Sequence, residues 1–439
     1  MIATRLLFVV LVALAAGCVV DEPVEVDLDS GQLVPCTRGE FRCLVELSQG
    51  TDTDDAAALA GPRGLGVPEL TEAYSIPAAT GSPTIAIVTA YGYSRLEADL
   101  AAYRTNFDLP ACTVANGCLR IVDQRGGSAL PAESPLDNDW SIETMLDVDM
   151  ASAACPRCKL LVVQAADAGL GLLEGQDTAV ALGATVISNS WGRAEDGRSL
   201  AGNERYFDHP GVAIFAAAGD LGYDGGGVGA SYPATSAHVI AVGGTRLERE
   251  NDSARGYTES VWTKGGSGCS LTIAKPDYQP ASPCGFRASA DLAAVADPAT
   301  GVAIYHSRAG GGWRVVGGTS AAAPLVAGIF AAAGHGHRNT KSLAVDPGSF
   351  HDITSGKNGS CGSLLCEAGS GWDGPTGFGT PNGSVLAQSV VPIVVPDPLL
   401  GPVPPTDEAA GCSTSTSASG LAVALLIAVL IPRRRRRGR

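Results

Sequence analysis

Gly317-Gly-Thr-Ser320-Ala-Ala-Ala-Pro324-Leu-Val-Ala-Gly328 joins a glycine pair to an alanine-rich run. Two glycines let a backbone approach closely. The run that follows is helix-forming in composition, which puts Ser320 at a helix start. There, free N–H groups and the helix dipole favour developing negative charge. Pro324 fits this reading if it lies near the first turn, where amides lack partners inside the helix. Taken alone, Thr319 or Ser320 reads as a simple N-cap.

Upstream of this stretch a βα alternation begins at about Val67. Thr84-Ile-Ala-Ile-Val-Thr89 is a continuous apolar run of strand length, as expected for a strand buried on both faces. Similar runs lie at 160–164, 185–188, 212–217 and 239–242. Ser94-Arg-Leu-Glu97 has capping-box spacing and opens a predicted helix to about Tyr103. Further helical patterns fall at 140–153, 170–182 and 200–207. This alternation argues for an α/β fold, with a mainly parallel sheet and helices on both faces. No strong linker divides 67–388, which reads as one domain.

The flanks have a different character. Arg5 and the apolar core 6–16 read as an export signal, too short to span a membrane comfortably. It ends in Leu14-Ala-Ala-Gly-Cys18, which resembles a bacterial lipobox and implies removal of 1–17 and lipidation of Cys18. The plainer alternative is an ordinary signal peptide. Residues 18–66 form an acidic extension with one small disulfide loop, and 389–411 a Pro-rich spacer with six prolines between 392 and 405. In the segment 412–439, Gly411-Cys412 is followed by an apolar run at 420–431 and five arginines from Arg433 to Arg437. Twelve apolar residues fall short of the ~20 of a transmembrane helix. The order resembles tripartite C-terminal sorting signals, with a short membrane anchor as the alternative. Either way the main domain is expected outside the cytoplasm, secreted or held at the outer membrane or cell surface.

Charge and cysteine usage agree with export. Loss of 1–17 removes one arginine and loss of 413–439 six, with no acidic residue in either, taking the formal charge from −15 to −22. A nucleic-acid partner is excluded on that balance, because phosphate binding rests on Lys and Arg. Of twelve cysteines, Cys18 and Cys412 are set aside, and ten fall in close pairs: Cys36/Cys43, Cys112/Cys118, Cys155/Cys158, Cys269/Cys284 and Cys361/Cys366. Five local disulfides are expected. Zinc is the rival at Cys155-Pro-Arg-Cys158, but no second pair completes such a site.

Two carboxylate patterns carry candidate chemistry. Glu143-Thr-Met-Leu-Asp147 places two acids one turn apart on a helix face, beside the apolar stripe Ile142, Leu146 and Met150. Such acids resist double ionisation, so one can accept a proton from a serine while the other shares its charge. A solvated acidic helix face is the bland alternative. Ala216-Ala-Ala-Gly-Asp220-Leu-Gly222 follows a predicted strand, where an α/β sheet forms its ligand crevice. Held protonated, Asp220 could donate to an oxyanion; otherwise it is a turn residue.

The stretch around Ser320 is similar to the nucleophile motif shared by subtilisins and sedolisins. A subtilisin would also carry an Asp closing the first buried strand and a His-Gly-Thr-His segment. Here that strand ends Val88-Thr-Ala-Tyr-Gly92, and none of the six histidines has that context. The chain therefore resembles the sedolisins, the serine-carboxyl peptidases, over about 70–383. Supporting stretches are Ser188-Asn-Ser-Trp-Gly192, Tyr232-Pro-Ala to Val242-Gly-Gly-Thr245, and Ala296-Asp-Pro-Ala-Thr-Gly301. The resemblance implies a subtilisin-like three-layer α/β fold and an endopeptidase acting on proteins or peptides, with an acidic optimum. It further implies Ser320 as nucleophile, Glu143 as base, Asp147 as its partner and Asp220 as the oxyanion acid. Phe350-His-Asp352-Ile353-Thr354 and Gly369-Ser-Gly371-Trp-Asp373 look like the family's calcium site. Asp352 and Asp373 would give carboxylates, and Ile353, Gly369 and Gly371 carbonyls, a hard-oxygen set suited to Ca²⁺. A monomer is expected. Sedolisins usually carry a large pro-domain, and the 49 residues from Cys18 to Gly66 are too few for one. Two other readings stay open: an inactive surface binding module of the same fold, and a Ser/His/Asp hydrolase using a histidine such as His306.

Overall fold

The computed structural model describes residues 35–36, 38–48, 62–196, 200–279, 281–335 and 347–389. The expected signal, Cys18, Cys412, most of the spacer and the C-terminal segment lie outside them. The strands are, in chain order, β1 (Arg42–Cys43), β2 (Glu46–Leu47), β3 (Thr84–Ala90), β4 (Leu119–Asp123), β5 (Lys159–Ala165), β6 (Val186–Asn189), β7 (Trp191–Ala194), β8 (Ala213–Ala217), β9 (Ser231–Tyr232), β10 (Ile240–Arg249), β11 (Tyr257–Val261), β12 (Gly268–Ala274), β13 (Phe286–Ser289), β14 (Leu292–Val295), β15 (Val302–His306), β16 (Gly312–Gly317), β17 (Phe350–His351) and β18 (Thr380–Pro381). The helices are α1 (Val67–Tyr74), α2 (Leu96–Asn106), α3 (Ser141–Ala154), α4 (Leu170–Ala181), α5 (Leu200–Asn203), α6 (Thr319–Ala332) and α7 (Gly383–Gln388).

The main sheet runs β11-β10-β8-β6-β3-β5-β4, with β14 added on β10. Only the β10–β11 pairing in it is antiparallel; the others are parallel. The apolar run at 84–89 explains how it is buried. Ile85 and Ile87 join one core cluster with residues of α1, α2, α3 and α6, whereas Ala86 and Val88 join another with Leu172, Leu173 and Ala179 of α4. Alternate residues thus feed opposite faces, which makes three layers. Each fully buried Val, Leu or Ile contributes roughly 1.5–3 kcal/mol.

All fourteen residues of α3 are buried. The helix is therefore an interior element, not one with a solvated acidic face. It packs against α6 at Gly328, where a β-carbon would come within 2.5 Å of Ala154 Cβ. Only glycine admits that approach.

Several boundaries differ from the sequence expectation. Helix α2 starts at Leu96 with Arg95 at its cap and no capping bond, because Ser94 N and Oγ both donate to Glu133 Oε1 instead of meeting Glu97. The pattern at 200–207 breaks after α5 into a 3₁₀ turn at Glu204–Tyr206. The run 239–242 extends to Arg249 because β11 continues the pairing beyond β8. All five expected disulfides form: Cys36–Cys43, Cys112–Cys118, Cys155–Cys158, Cys269–Cys284 and Cys361–Cys366. The described part of the N-terminal extension is built into the body. β1 pairs with β7, and β2 pairs with β16.

Candidate active site

Parallel βα units put strand C-termini and helix N-termini at one end of the sheet, and three acids and a serine meet there. Ser320 is the second residue of α6, directly after Gly317-Gly318. Gly318 caps the helix with φ 96°, and a β-carbon on it would lie 2.0 Å from the Leu44 carbonyl oxygen and 2.7 Å from Asp220 Oδ2. No larger residue fits there. Neither Thr319 nor Ser320 is an N-cap. Pro324 sits six residues into the helix, beyond the first turn. Without its N–H, the Ser320 carbonyl loses its usual partner, and Ser190 Oγ approaches it at 3.4 Å.

Glu143 lies in the first turn of α3 and is 1% exposed, yet neither of its carboxylate oxygens has a hydrogen-bond partner. The other polar side chains of this helix find partners. Thr144 bonds Thr89, Asp147 accepts from Ser190, Asp149 accepts from Tyr305 N, and Ser152 accepts from Arg104. An unsatisfied buried acceptor costs about 1–3 kcal/mol, so Glu143 stands out. Burial raises its pKa well above the usual carboxylate range, and Asp147 and Asp220 push the same way. The Ser320 hydroxyl and the Leu44 N–H oppose that shift from nearby, although neither closes a well-formed bond to it. Asp147 is also raised by burial, with the Ser190 hydroxyl pulling it back.

Asp220 follows β8 and the turn at Gly219. Its Oδ1 accepts from Thr319 N and Thr319 Oγ1, each at 2.8 Å, and Gly219 N donates to Thr319 Oγ1 at 3.1 Å. Its Oδ2 has no partner. Burial lifts Asp220 to about 7 against the pull of the Thr319 bonds. Below that pH the carboxyl is neutral and can donate through Oδ2.

The sequence reading did not single out Ser190 or Thr319 as site residues. Ser190 carries no local pattern of its own; only the fold sets it against Asp147. His306 belongs to a different group. Its Nε2 bonds Ser141 Oγ at 2.8 Å, and burial lowers its pKa to about 3. Beside Asp220 opens a cavity of about 760 Å³, lined by Gly192, Ala194, Ala218, Gly219 and Gly266 and also by Arg42, Leu44 and Glu46.

Four of the five residues of the expected cation site, Asp352, Gly369, Gly371 and Asp373, also meet. Gly371 N donates to Asp352 Oδ2 at 3.0 Å, and Gly369 N to Asp373 Oδ2 at 3.1 Å. Thr376 holds Asp373 Oδ1 through N and Oγ1. Burial raises Asp373 to about 7, and the like charge of Asp352 adds to this. The two carboxylates adjoin, a hard-oxygen pair of the kind Ca²⁺ takes.

The model of the subtilase family matches residues 137–345. Kumamolisin of Bacillus sp. (strain MN-32) is 33% identical over 332 residues, which span 67% of this chain and 58% of kumamolisin. Sedolisin of Pseudomonas sp. (strain 101) is 28% identical over 418 residues, spanning 83% of this chain and 68% of sedolisin. A solved structure of Pseudomonas sedolisin, a serine-carboxyl proteinase complexed with two molecules of pseudo-iodotyrostatin, superimposes with a TM-score of 0.62 at 26% identity. It covers 75% of this chain and 98% of that one. The chain therefore spans less than two thirds of kumamolisin's length.

Proposed function

The chain belongs to the sedolisin family with its subtilisin-like fold, and on that premise we propose that it is an exported serine-carboxyl endopeptidase acting on proteins or peptides under acidic conditions. The carrying observation is the unpartnered, buried Glu143 beside Asp147, together with Ser320 at a helix N-terminus.

In this reading Ser320 Oγ attacks the scissile carbonyl carbon and its proton passes to Glu143. Asp147, tied to Ser190, shares the charge and steadies the base. The oxyanion is met by the Ser320 N–H and by the proton on Asp220 Oδ2. Glu143 then protonates the leaving amine, and water hydrolyses the acyl-enzyme with Glu143 again as base. Ca²⁺ would be held by Asp352, Asp373 and the carbonyls of Ile353, Gly369 and Gly371. Bound there, it would supply a cross-link between the loops. Membrane attachment through Cys18 or the C-terminal segment belongs to the same proposal.

The test is peptide hydrolysis by purified wild-type and Ser320→Ala protein. Loss of turnover with an unchanged circular dichroism spectrum is expected. Activity surviving in Ser320→Ala would place the nucleophile elsewhere.

A further inference from the structure

The carboxylate of Glu143 has no hydrogen bond to fix it, so its place depends on the backbone that carries it. That backbone is the first turn of α3, and Glu143 stands two residues after Ser141. Trp140, at the helix cap, makes no side-chain capping bond. Asp139 supplies one instead: its Oδ1 accepts from Ser141 N at 3.0 Å and from Ser141 Oγ at 2.7 Å. The preceding amide, that of Trp140, donates to Ser134 Oγ at 2.9 Å.

These anchors are gripped in turn by the end of β15. His306 Nε2 bonds Ser141 Oγ at 2.8 Å. Arg308 donates through Nη1 to Asp139 Oδ1 at 2.5 Å and through Nη2 to the Ser134 carbonyl at 2.7 Å. Tyr305 N donates to Asp149 Oδ2 of α3, and Ser307 N to Asp99 Oδ2 of α2. Four consecutive residues, 305–308, are thus tied to these helices or to the turn leading into α3. β15 pairs along its length with β16, which runs through Gly317-Gly318 into Ser320. One route of contacts from the base to the nucleophile therefore passes through 305–308.

Asp139, Ser141 and His306 have the composition of a nucleophilic triad but not its order. In a triad the imidazole lies between acid and hydroxyl; here the hydroxyl lies between acid and imidazole. Ser141 Oγ has one proton, and the carboxylate held by Arg308 takes it, so His306 Nε2 must be the donor of the second bond. Burial and Arg314 keep the ring neutral down to about pH 3, which leaves its Nδ1 bare and without a partner. All three side chains are buried, so no substrate reaches this serine.

We propose that Arg308 and His306 are positioning residues of the reaction, which act through Asp139 and Ser141 to lock the first turn of α3 to the hairpin leading into Ser320. The inference rests on the peptidase reading above. A base without hydrogen bonds of its own gains its aim from this clamp. Loosening the clamp lets the first turn fray and Glu143 drift, and a misplacement of about 1 Å costs roughly 100-fold in rate. The drift also has an electrostatic signature. The Ser320 hydroxyl favours the ionised form of Glu143, whereas the facing carboxylates Asp147 and Asp220 oppose it. A base that moves away from Ser320 loses the help, and its proton is then released only at higher pH.

The experiment measures kcat, KM and the pH–rate profile for peptide hydrolysis by the full chain, with Tm recorded for each variant. Arg308→Met and His306→Leu should lower kcat about 10- to 100-fold. KM should stay unchanged, since neither side chain lines the cavity. The acid limb of the profile should move to higher pH in both. Arg308→Lys, which keeps the charge, and His306→Gln, whose amide can donate to Ser141 Oγ, should recover most of the loss and return the limb. If His306→Leu does not fold, Ser141→Ala takes its place, beside Arg308→Met at its partly exposed position. Variants that lose Tm but keep the wild-type kcat and acid limb, or that raise KM alone, would overturn the inference and leave the peptidase reading standing. A wild-type protein that hydrolyses no peptide at any pH would overturn both.

Discussion

At the residue scale, the useful contrast is between two buried acids with opposite duties. The proposed mechanism needs Glu143 ionised to take the serine proton and Asp220 protonated to donate through Oδ2. With Asp220 lifted to about 7 by burial, its proton is lost as pH rises through neutrality. Turnover should therefore decline over that range in a pH–rate profile, and Asp220→Asn should keep some activity with a flatter alkaline side, since an amide donates at any pH. Glu143→Gln should abolish turnover throughout, because an amide cannot accept the proton. A profile rising to a plateau above neutrality, with Glu143→Gln still active, would sink the carboxylate-base mechanism. Glu143, Asp147, Asp220 and Ser320 are named in the sequence by their resemblance to sedolisin stretches, since spacing alone leaves each with a plainer reading. Ser190 and Thr319 could not be named, since their importance lies in which distant carboxylate the fold sets against each hydroxyl. Leu44 was the least legible: nothing in Cys-Leu-Val-Glu says that it will lie across a cleft.

Elements built by continuous apolar runs were readable to within a residue or two, because burial on both faces leaves few alternatives. β3, β5, β6 and β8 are of this kind. Elements defined by polar local signals were not. Ser94 found Glu133 across the fold in preference to Glu97, and the 200–207 pattern gave way to a 3₁₀ turn. The loops at 350–354 and 369–376 belong to a third kind: Phe350, Ile353 and Trp372 are buried, and Gly371 N ties one loop to Asp352 of the other. A bound Ca²⁺ would offset the like charges of Asp352 and Asp373 and stabilise the folded state by mass action, about 2.7 kcal/mol at a hundredfold excess over Kd. EDTA should therefore lower Tm in the Ser320→Ala protein, added calcium should restore it, and Asp352→Asn should remove most of the response. An unchanged Tm in EDTA, with no calcium found by elemental analysis of the untreated protein, would dispose of the site.

At the scale of the whole molecule, the buried carboxylates make pH a variable of stability as well as of catalysis. Asp149 is raised by burial, and Asp220 to about 7, so the folded state holds protons that the unfolded chain releases near pH 4. Where the folded state binds more protons, stability falls as pH rises. Their contribution is fully present below the unfolded values and is lost as pH climbs through the folded ones. For Asp220, the change from 3.8 to about 7 corresponds to roughly 4 kcal/mol. Glu259 works in the opposite sense. Burial pushes it up, but Arg255, Thr380 and Thr245 outweigh that and hold it below the usual range. Its contribution is therefore present above the unfolded value and lost only on further acidification. The formal charge of −15 adds self-repulsion that grows with pH above the sequence pI of about 4.8. The balance favours a Tm maximum on the acid side, declining from about pH 5 towards pH 8. Calorimetry on Ser320→Ala, which removes autolysis from the measurement, should show that decline, and Asp220→Asn in the same background should flatten its upper part near pH 7. A Tm that rises steadily across the same range would mean that these carboxylates are ionised in the folded state, and the acid-donor role of Asp220 would fall with them.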